Sequence, residues 1–295
     1  MESFAEAVAQ DEAAHTAAIK RIAERVAARA PVVRLILLSG PSSAGKTTTA
    51  IRLQRALKKE GLSVCRLSTD DYFVGNSRNP VREDGSYDYE TIDAVDHVRL
   101  SEDLSRLFWG ERVRLRRFDF MKHEGYDDRR ETSLPKGGVV VLEGIHALNP
   151  LLTDGVDELL KFRVYLNVLT STEGITPEGI RLVRRMVRDN THRGTGPSGT
   201  LADWPQVMEG EERWINPTRR YADAVFNTAL EYEPHVMKGF VEPLLAEVGP
   251  DDPNADKAGL LRSFFAGIEG EDPSPVPGDS ILRETIGGSI LDYDG

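Results

Sequence analysis

The residues with the clearest capacity for chemistry lie at positions 40 to 47, where Gly40-Pro-Ser-Ser-Ala-Gly45-Lys46-Thr47 has the spacing G-x-x-x-x-G-K-T. Glycines let such a loop turn tightly, so that the N–H groups around Ser42, Ser43, Ala44 and Gly45 point at phosphate oxygens. Lys46 is placed to reach the β- and γ-phosphates of a nucleoside triphosphate, and the Thr47 hydroxyl to ligate Mg²⁺. From Thr48 to Leu57 the chain is a good helix former, whose N-terminal partial charge would lie under the same phosphates. The spacing arises by chance in about one chain in a hundred. Here an apolar run, Val33 to Ser39, also precedes it.

Three further groups could act on a bound triphosphate. Asp70 and Asp71 follow the strand-like run Ser63 to Thr69, and ligands of open parallel sheets bind outside the carboxyl ends of the strands. Asp70 is the candidate base that orients an acceptor hydroxyl and takes its proton. Asp71 is the competing assignment, and capping the next helix is the structural alternative for either. Glu143 ends the apolar run Val139 to Leu142 and is assigned to the metal, directly or through water, the alternative being that it only orients Lys46 or a loop. Arg181, Arg184, Arg185 and Arg188 recur at i, i+3, i+4, i+7, on one face of a helix, with Arg193 beyond. In that setting they suggest a movable lid, residues 181 to 200, that neutralises charge on transferring phosphates. A solvated amphipathic face is the plainer reading.

Two patterns are set aside. Gly194 to Gly199 matches G-x-G-x-x-G but follows a helix, so it reads as a lid hinge and not a dinucleotide site. The six histidines have no zinc spacing; His15 is expected on a helix surface and His146 packed or capping.

The elements that must hold these groups alternate. Strands are predicted at 33–39, 63–69, 139–142, 162–168 and 224–229, with helices at 48–57, 97–109 and 177–190, which implies an α/β fold: a mostly parallel P-loop-type sheet covered by helices on both faces. Val113 to Phe120 alternates as a strand with one wet face and fits a small antiparallel addition. Residues 75–96 are polar and turn-rich, a substrate-facing excursion. An amphipathic helix over 2–29 lies outside the nucleotide core and packs either on that core or on a second subunit of a homo-oligomer. The organisation expected is an N-terminal helix (1–30), a kinase domain (31–250) and a C-terminal helix with a Pro-rich tail (251–295), draped over the domain or partly mobile.

At 295 residues with a net charge of −11, the chain is too acidic to coat nucleic acid or an anionic membrane by bulk attraction. One cysteine, Cys65, excludes an internal disulfide framework and reads as a buried, inert thiol. No apolar run approaches a bilayer span and no signal-peptide core is present, so a cytoplasmic protein is expected.

Taken in order, several motifs carry a resemblance: Gly40 to Thr47, Ser68-Thr-Asp-Asp-Tyr-Phe73, Tyr87-Asp-Tyr-Glu90, Arg117-Phe-Asp-Phe-Met-Lys-His123, Glu143-Gly144, Arg184 through Arg188-Asp189 to Arg193-Gly194, and Pro217-Thr-Arg-Arg-Tyr-Ala-Asp223. Together they resemble the uridine kinase and phosphoribulokinase family, above all the longer bacterial uridine-kinase-like proteins. The likeness extends to the tail Ser280-Ile-Leu-Arg-Glu-Thr-Ile-Gly-Gly-Ser289, for which it supplies no mechanism.

The resemblance implies ATP-dependent transfer to the 5′-hydroxyl of a pyrimidine nucleoside, uridine or cytidine. Asp70 matches the catalytic base, and Asp88 the carboxylate that holds the ribose hydroxyls. His123 matches the histidine on the nucleobase. Arg185, Arg188 and Arg193 match the lid arginines, Arg185 also lying near the ribose. Phe118 stands where a base-contacting tyrosine is common, Thr195 where a further lid arginine is usual, and Asp203-Trp204 where a glutamine lies near the nucleoside. Trp204 and Trp214 are alternative stacking surfaces.

The rival readings are a kinase for another small hydroxylated metabolite, such as a sugar or sugar phosphate, and a nucleotide-dependent regulatory switch. A phosphorylated acceptor would need an extra cationic pocket, for which Arg114, Arg116 and Arg117 are the candidates. Against the switch, the chain lacks an N-K-x-D guanine motif.

Overall fold

The computed structural model of the protein describes residues 3–119 and 122–293. Phe120 and Met121 of the Arg117–His123 motif lie outside the described residues. Five parallel strands form the central sheet: β1 (Leu35–Ser39), β2 (Val64–Ser68), β5 (Val139–Glu143), β6 (Lys161–Asn167) and β7 (Ala224–Asn227), in the order β2-β5-β1-β6-β7. Every residue of β1 and β5 is buried, as the continuous apolar runs require for strands covered on both faces.

One face of the sheet packs on α2 (Lys46–Lys59) and on α1 (Phe4–Ala27) through Leu53, Leu57, Ile19, Ile22 and Val26. The other packs on α3 (His97–Phe108) through Leu100, Leu104 and Leu107. Helix α1 starts with a capping box between Ser3 and Glu6, and it docks on its own chain. Its buried face is wider than its apolar stripe. Glu12 bonds Arg52 and Tyr232, and His15, expected at the surface, is only 5% exposed. Its Nε2 lies 3.1 Å from the Ala229 carbonyl oxygen and its ring stands edge-on to Phe226. The polar residues on this face found partners on α2 and on the chain after β7, which periodicity along α1 cannot reveal.

The strand predicted at 113–120 is β3 (Val113–Asp119), paired antiparallel with β4 (Glu124–Thr132) in a separate two-stranded ribbon. Strand β4 reads Glu-Gly-Tyr-Asp-Asp-Arg-Arg-Glu-Thr, polar on both faces, so it has no alternation to recognise.

Helices α4 (Pro177–His192), α5 (Pro197–Gly210), α6 (Glu233–Glu247) and α7 (Ala255–Ala266) share a further core around Val183, Met186, Leu201, Val241 and Phe265. The Gly194–Gly199 stretch is a helix start as much as a hinge, because Pro197 is the first residue of α5. After α7 the tail is draped over the domain: it runs through α8 (Arg283–Ile286) and returns to the start of α2. Among the described residues no helix is long and apolar enough to cross a membrane.

Candidate active site

Sheet register brings the site together. Glu143 at the end of β5 is level with Leu38 on β1 and Ser68 on β2. The phosphate loop therefore begins two residues beyond Glu143's neighbour on one side, and Asp70 follows two residues beyond its neighbour on the other. The loop turns hard against β6, since a Cβ on Gly40 would lie 1.9 Å from the Leu166 carbonyl oxygen. Ser43 and Gly45 take positive φ, 58° and 84°, which turns the intervening N–H groups inward as an anion nest. Gly45 also opens α2. Gly40 and buried Ala44 thus shape the loop without lining the cavity it bounds, whereas Ser42, Ser43, Gly45, Lys46 and Thr47 do line it.

That cavity, about 380 Å³, is lined by the phosphate loop and Asp70 together with Tyr89, Glu90, Phe118 and His123. The Lys46 amine donates to the Pro41 carbonyl at 2.9 Å; burial lowers its pKa, against the pull of Glu143 and Asp70. Glu143 is pushed up to about 7 by burial, then by Asp70. Its carboxylate lies 3.5 Å from the Thr47 hydroxyl. Two adjoining oxygen ligands beside a second carboxylate suit Mg²⁺, which keeps several waters and relies on substrate phosphates for the rest of its octahedron. Among the described residues no group of three or more His, Cys, Asp and Glu side chains is arranged to hold a metal by itself.

The two candidate bases separate. Asp70 lines both the cavity and the neighbouring groove along β2, whereas Asp71 lines the groove alone. Asp71 is held by Arg117 at 3.3 Å; burial raises its pKa to about 6.

The arginines of α4 divide into two sets. Arg181 and Arg184 are 1% and 2% exposed and pair with Glu211 on the turn after α5 and Glu233 on α6. Their remaining N–H groups reach the carbonyls of Ser42 and Ser43. They brace the phosphate loop from behind, so the four-cation face predicted from spacing supplies only two of its members, Arg185 and Arg188, to the cavity. With Arg193 these surround one buried carboxylate, Asp189, at 3.2, 2.7 and 3.7 Å. Burial alone would raise the Asp189 pKa, but Arg188, Arg185 and Arg193 together hold it low. The reciprocal crowding by Arg188, and then burial, lowers Arg193 to about 10. Arg185 also donates to the Ser42 hydroxyl at 2.9 Å.

The Tyr89 and His123 rings stack with centroids 6.3 Å apart, and Phe118 meets Phe73 at 5.6 Å. Asp88, expected from the resemblance to hold ribose hydroxyls, does not line the cavity. Its carboxylate accepts from Arg82 and from the Glu90 N–H, both at 3.1 Å. Glu90 takes the inward position: its Oε2 is buried without a hydrogen-bond partner, and burial raises its pKa to about 7. Sequence reasoning passed over Glu90; the turn at Asp88 that swaps the two residues has no signature in their types. Asp203 and Thr195 line the cavity, while Trp204 lies over Arg181 and Trp214 over Arg213, neither of them on it. His146 is fully buried and pushed down to about 4 by burial. Cys65 is half-buried and its thiol is raised to about 11 by burial, hence protonated and inert.

Thr48 is the exception within the loop. It has no exposed surface, and both its N–H and its hydroxyl donate to Glu284 of the tail, at 3.3 and 2.6 Å.

A parallel sheet with a phosphate nest after its central strand, acids at the carboxyl ends of β5 and β2 and arginines lining the same cavity defines a P-loop phosphotransferase. Residues 35–232 match the model of the Phosphoribulokinase / Uridine kinase family. The chain belongs to that family; it is a phosphotransferase acting on a hydroxyl group, a nucleoside or small-metabolite kinase. It is 30% identical over 192 residues to a protein named uridine kinase from Deinococcus deserti, covering 65% of this chain and 86% of that one. A uridine kinase from Halobacterium salinarum is 27% identical over 189 residues, 64% of this chain and 77% of the other. A crystal structure titled putative fructose transport system kinase, from Silicibacter sp. TM1040, superposes with a TM-score of 0.51 at 19% identity, covering 70% of this chain and 98% of that one. It shares the fold.

Proposed function

We propose that the protein transfers the γ-phosphoryl group of ATP to the 5′-hydroxyl of a nucleoside, uridine or cytidine in first place. The observation that carries this reading is that one cavity is lined by Asp70 and Lys46 and by the stacked Tyr89–His123 aromatic pair. A flat, hydrogen-bonding base suits that pair, and the relatives named uridine kinase support it. Asp70 receives the proton of the acceptor hydroxyl as its oxygen bonds to the γ-phosphorus and the bond from that phosphorus to the β,γ-bridging oxygen breaks, releasing ADP. Lys46, Arg185, Arg188 and Arg193 hold the phosphates and offset charge on the oxygens in flight. Thr47 and Glu143 would hold Mg²⁺, which supplies charge neutralisation between the donor phosphates. Glu90 replaces Asp88 as the acid facing the acceptor; a carboxylate can accept from both hydroxyls of a diol.

A sugar phosphate is a poorer fit. Arg114, Arg116 and Arg117, the candidates for a second phosphate pocket, are paired with Glu131, Asp127 and Asp128 along the ribbon. The deciding experiment is an ADP-release screen with Mg-ATP across nucleosides, sugars and sugar phosphates. Turnover with uridine or cytidine above all other acceptors is expected; preference for a sugar phosphate, or hydrolysis indifferent to every small acceptor, overturns the reading.

A further inference from the structure

The tail motif Ser280 to Ser289 has a position that accounts for its composition. Arg283 folds it on itself, donating to the carbonyls of Pro273 and Val276 at 2.8 and 2.7 Å and reaching that of Gly287. Ser289 donates to the Gly278 carbonyl, and the Ile290 N–H does the same at 2.9 Å. The folded strap then sits on the phosphate loop. Ile281 is buried against Gly45, where a Cβ would come within 2.5 Å of it. Ser280 meets the Tyr232 hydroxyl, Tyr293 meets the Thr48 hydroxyl at 3.2 Å, and Arg66 on β2 binds the carbonyls of Asp292 and Tyr293.

Through Glu284 the strap acts on the loop itself. The first N–H groups of a helix have no partner within it and form an anion site. In α2 the N–H of Thr48 is one of these, and a carboxylate from the far end of the chain already occupies it. The six acids lining the cavity (Asp70, Glu90, Glu143, Asp189, Asp203, Glu284) outnumber its four cations (Lys46, Arg185, Arg188, Arg193). A triphosphate brought onto Thr48 would meet the Glu284 carboxylate on the same donors.

We propose that residues 280–293 are an autoinhibitory strap: Glu284 stands in for a donor phosphate on Thr48, and productive donor binding displaces it. The inference rests on the loop being a donor site, as in the reading above. It makes donor binding a competition, in which a phosphate oxygen takes the Thr48 donors and the strap lifts from the first turn of α2. The Glu284 contact holds the loop formed and closed until then.

The test uses the full chain, with Glu284→Gln, which removes the charge and keeps an acceptor, and Arg283→Ala, which loosens the strap without touching the loop. Equilibrium titration with ATP, with and without Mg²⁺, is combined with hydrogen exchange of the 280–293 amides. Glu284→Gln is expected to bind ATP about tenfold more tightly than the parent chain, because a charge-assisted bond to Thr48 no longer competes, and Arg283→Ala more tightly by a smaller factor, because the bond remains but the strap that presents it is loosened. ATP is expected to strip protection from the strap amides of the parent. Unchanged or weaker affinity in Glu284→Gln, with strap protection kept or raised by ATP, would make the strap a fixed wall of the site and overturn the inference alone. Failure of all three proteins to bind any nucleotide overturns the donor-site reading together with it.

Discussion

Arg184 and Glu233 form a two-point ion pair, Nε to Oε1 at 2.6 Å and Nη2 to Oε2 at 2.5 Å, with both side chains 2% exposed. The same guanidinium reaches the carbonyls of Thr228 and Ser43, so it ties α6 and the chain after β7 to the phosphate loop. Arg184→Met leaves Glu233 buried and unpaired, and is expected to cost about 3–5 kcal/mol in denaturant unfolding. Arg184→Met with Glu233→Leu should recover most of that, since an apolar pair carries no desolvation penalty. A single-variant loss below about 1 kcal/mol would show that the pair does not hold α4 in place.

Asp70→Asn keeps the shape of the cavity and removes the proton acceptor. Turnover should fall about 10²–10⁴-fold, while the affinity for a fluorescent ATP analogue stays within a few-fold. Near-parental turnover would exclude Asp70 as the base. Asp71→Asn, whose carboxylate is turned to Arg117, should cost much less.

Glu90 offers a sharper discrimination between acceptor and donor. With its Oε2 buried and free of a partner in the cavity, Glu90→Ala is expected to raise the acceptor KM about 10–100-fold, the worth of a charged hydrogen bond. The ATP KM should move less than threefold. The same substitution at Asp88 should act mainly through Arg82 and the turn; an equal loss from both would mean that Glu90 merely supports the loop.

His15 predicts an acid sensitivity. Burial first, then the charge of Arg52, lower its pKa from 6.5 to about 4, against the Ala229 hydrogen bond. The folded protein therefore binds its proton more weakly than the unfolded chain does. The resulting stability is present above pH 6.5 and is lost as pH falls from there toward 4. The difference in unfolding free energy between the parent and His15→Gln should shift against the parent by about 3 kcal/mol across that window. A pH-independent difference would place the ring in water.

The strands of the sheet and the phosphate loop were legible because apolar runs and a fixed glycine spacing are local properties. Glu143 and Asp70 could be nominated from their places at strand ends, and the register then set them beside Thr47. Arg181 and Arg184 were misread for an equally physical reason: the spacing of four arginines fixes a helix face but not which carboxylates wait opposite it, and Glu211 and Glu233 are 30 and 49 residues away in sequence. The exchange of Asp88 for Glu90 depends on a turn. Glu284 lies 236 residues from Thr48, and no periodicity connects the two.

Helix α1 has partners from two distant parts of the chain: its apolar face meets α2, and its polar face also meets residues around Ala229 and Tyr232. The contacts to α2 are short-range in sequence, whereas those of Glu12 and His15 to residues 226–232 are not. Until both sets have formed, the helix face bearing Val8, Ile19, Ile22 and Val26 has only part of its seat. Seating α1 therefore closes a loop of some two hundred residues, and such long-range closure makes its docking a slow step of folding.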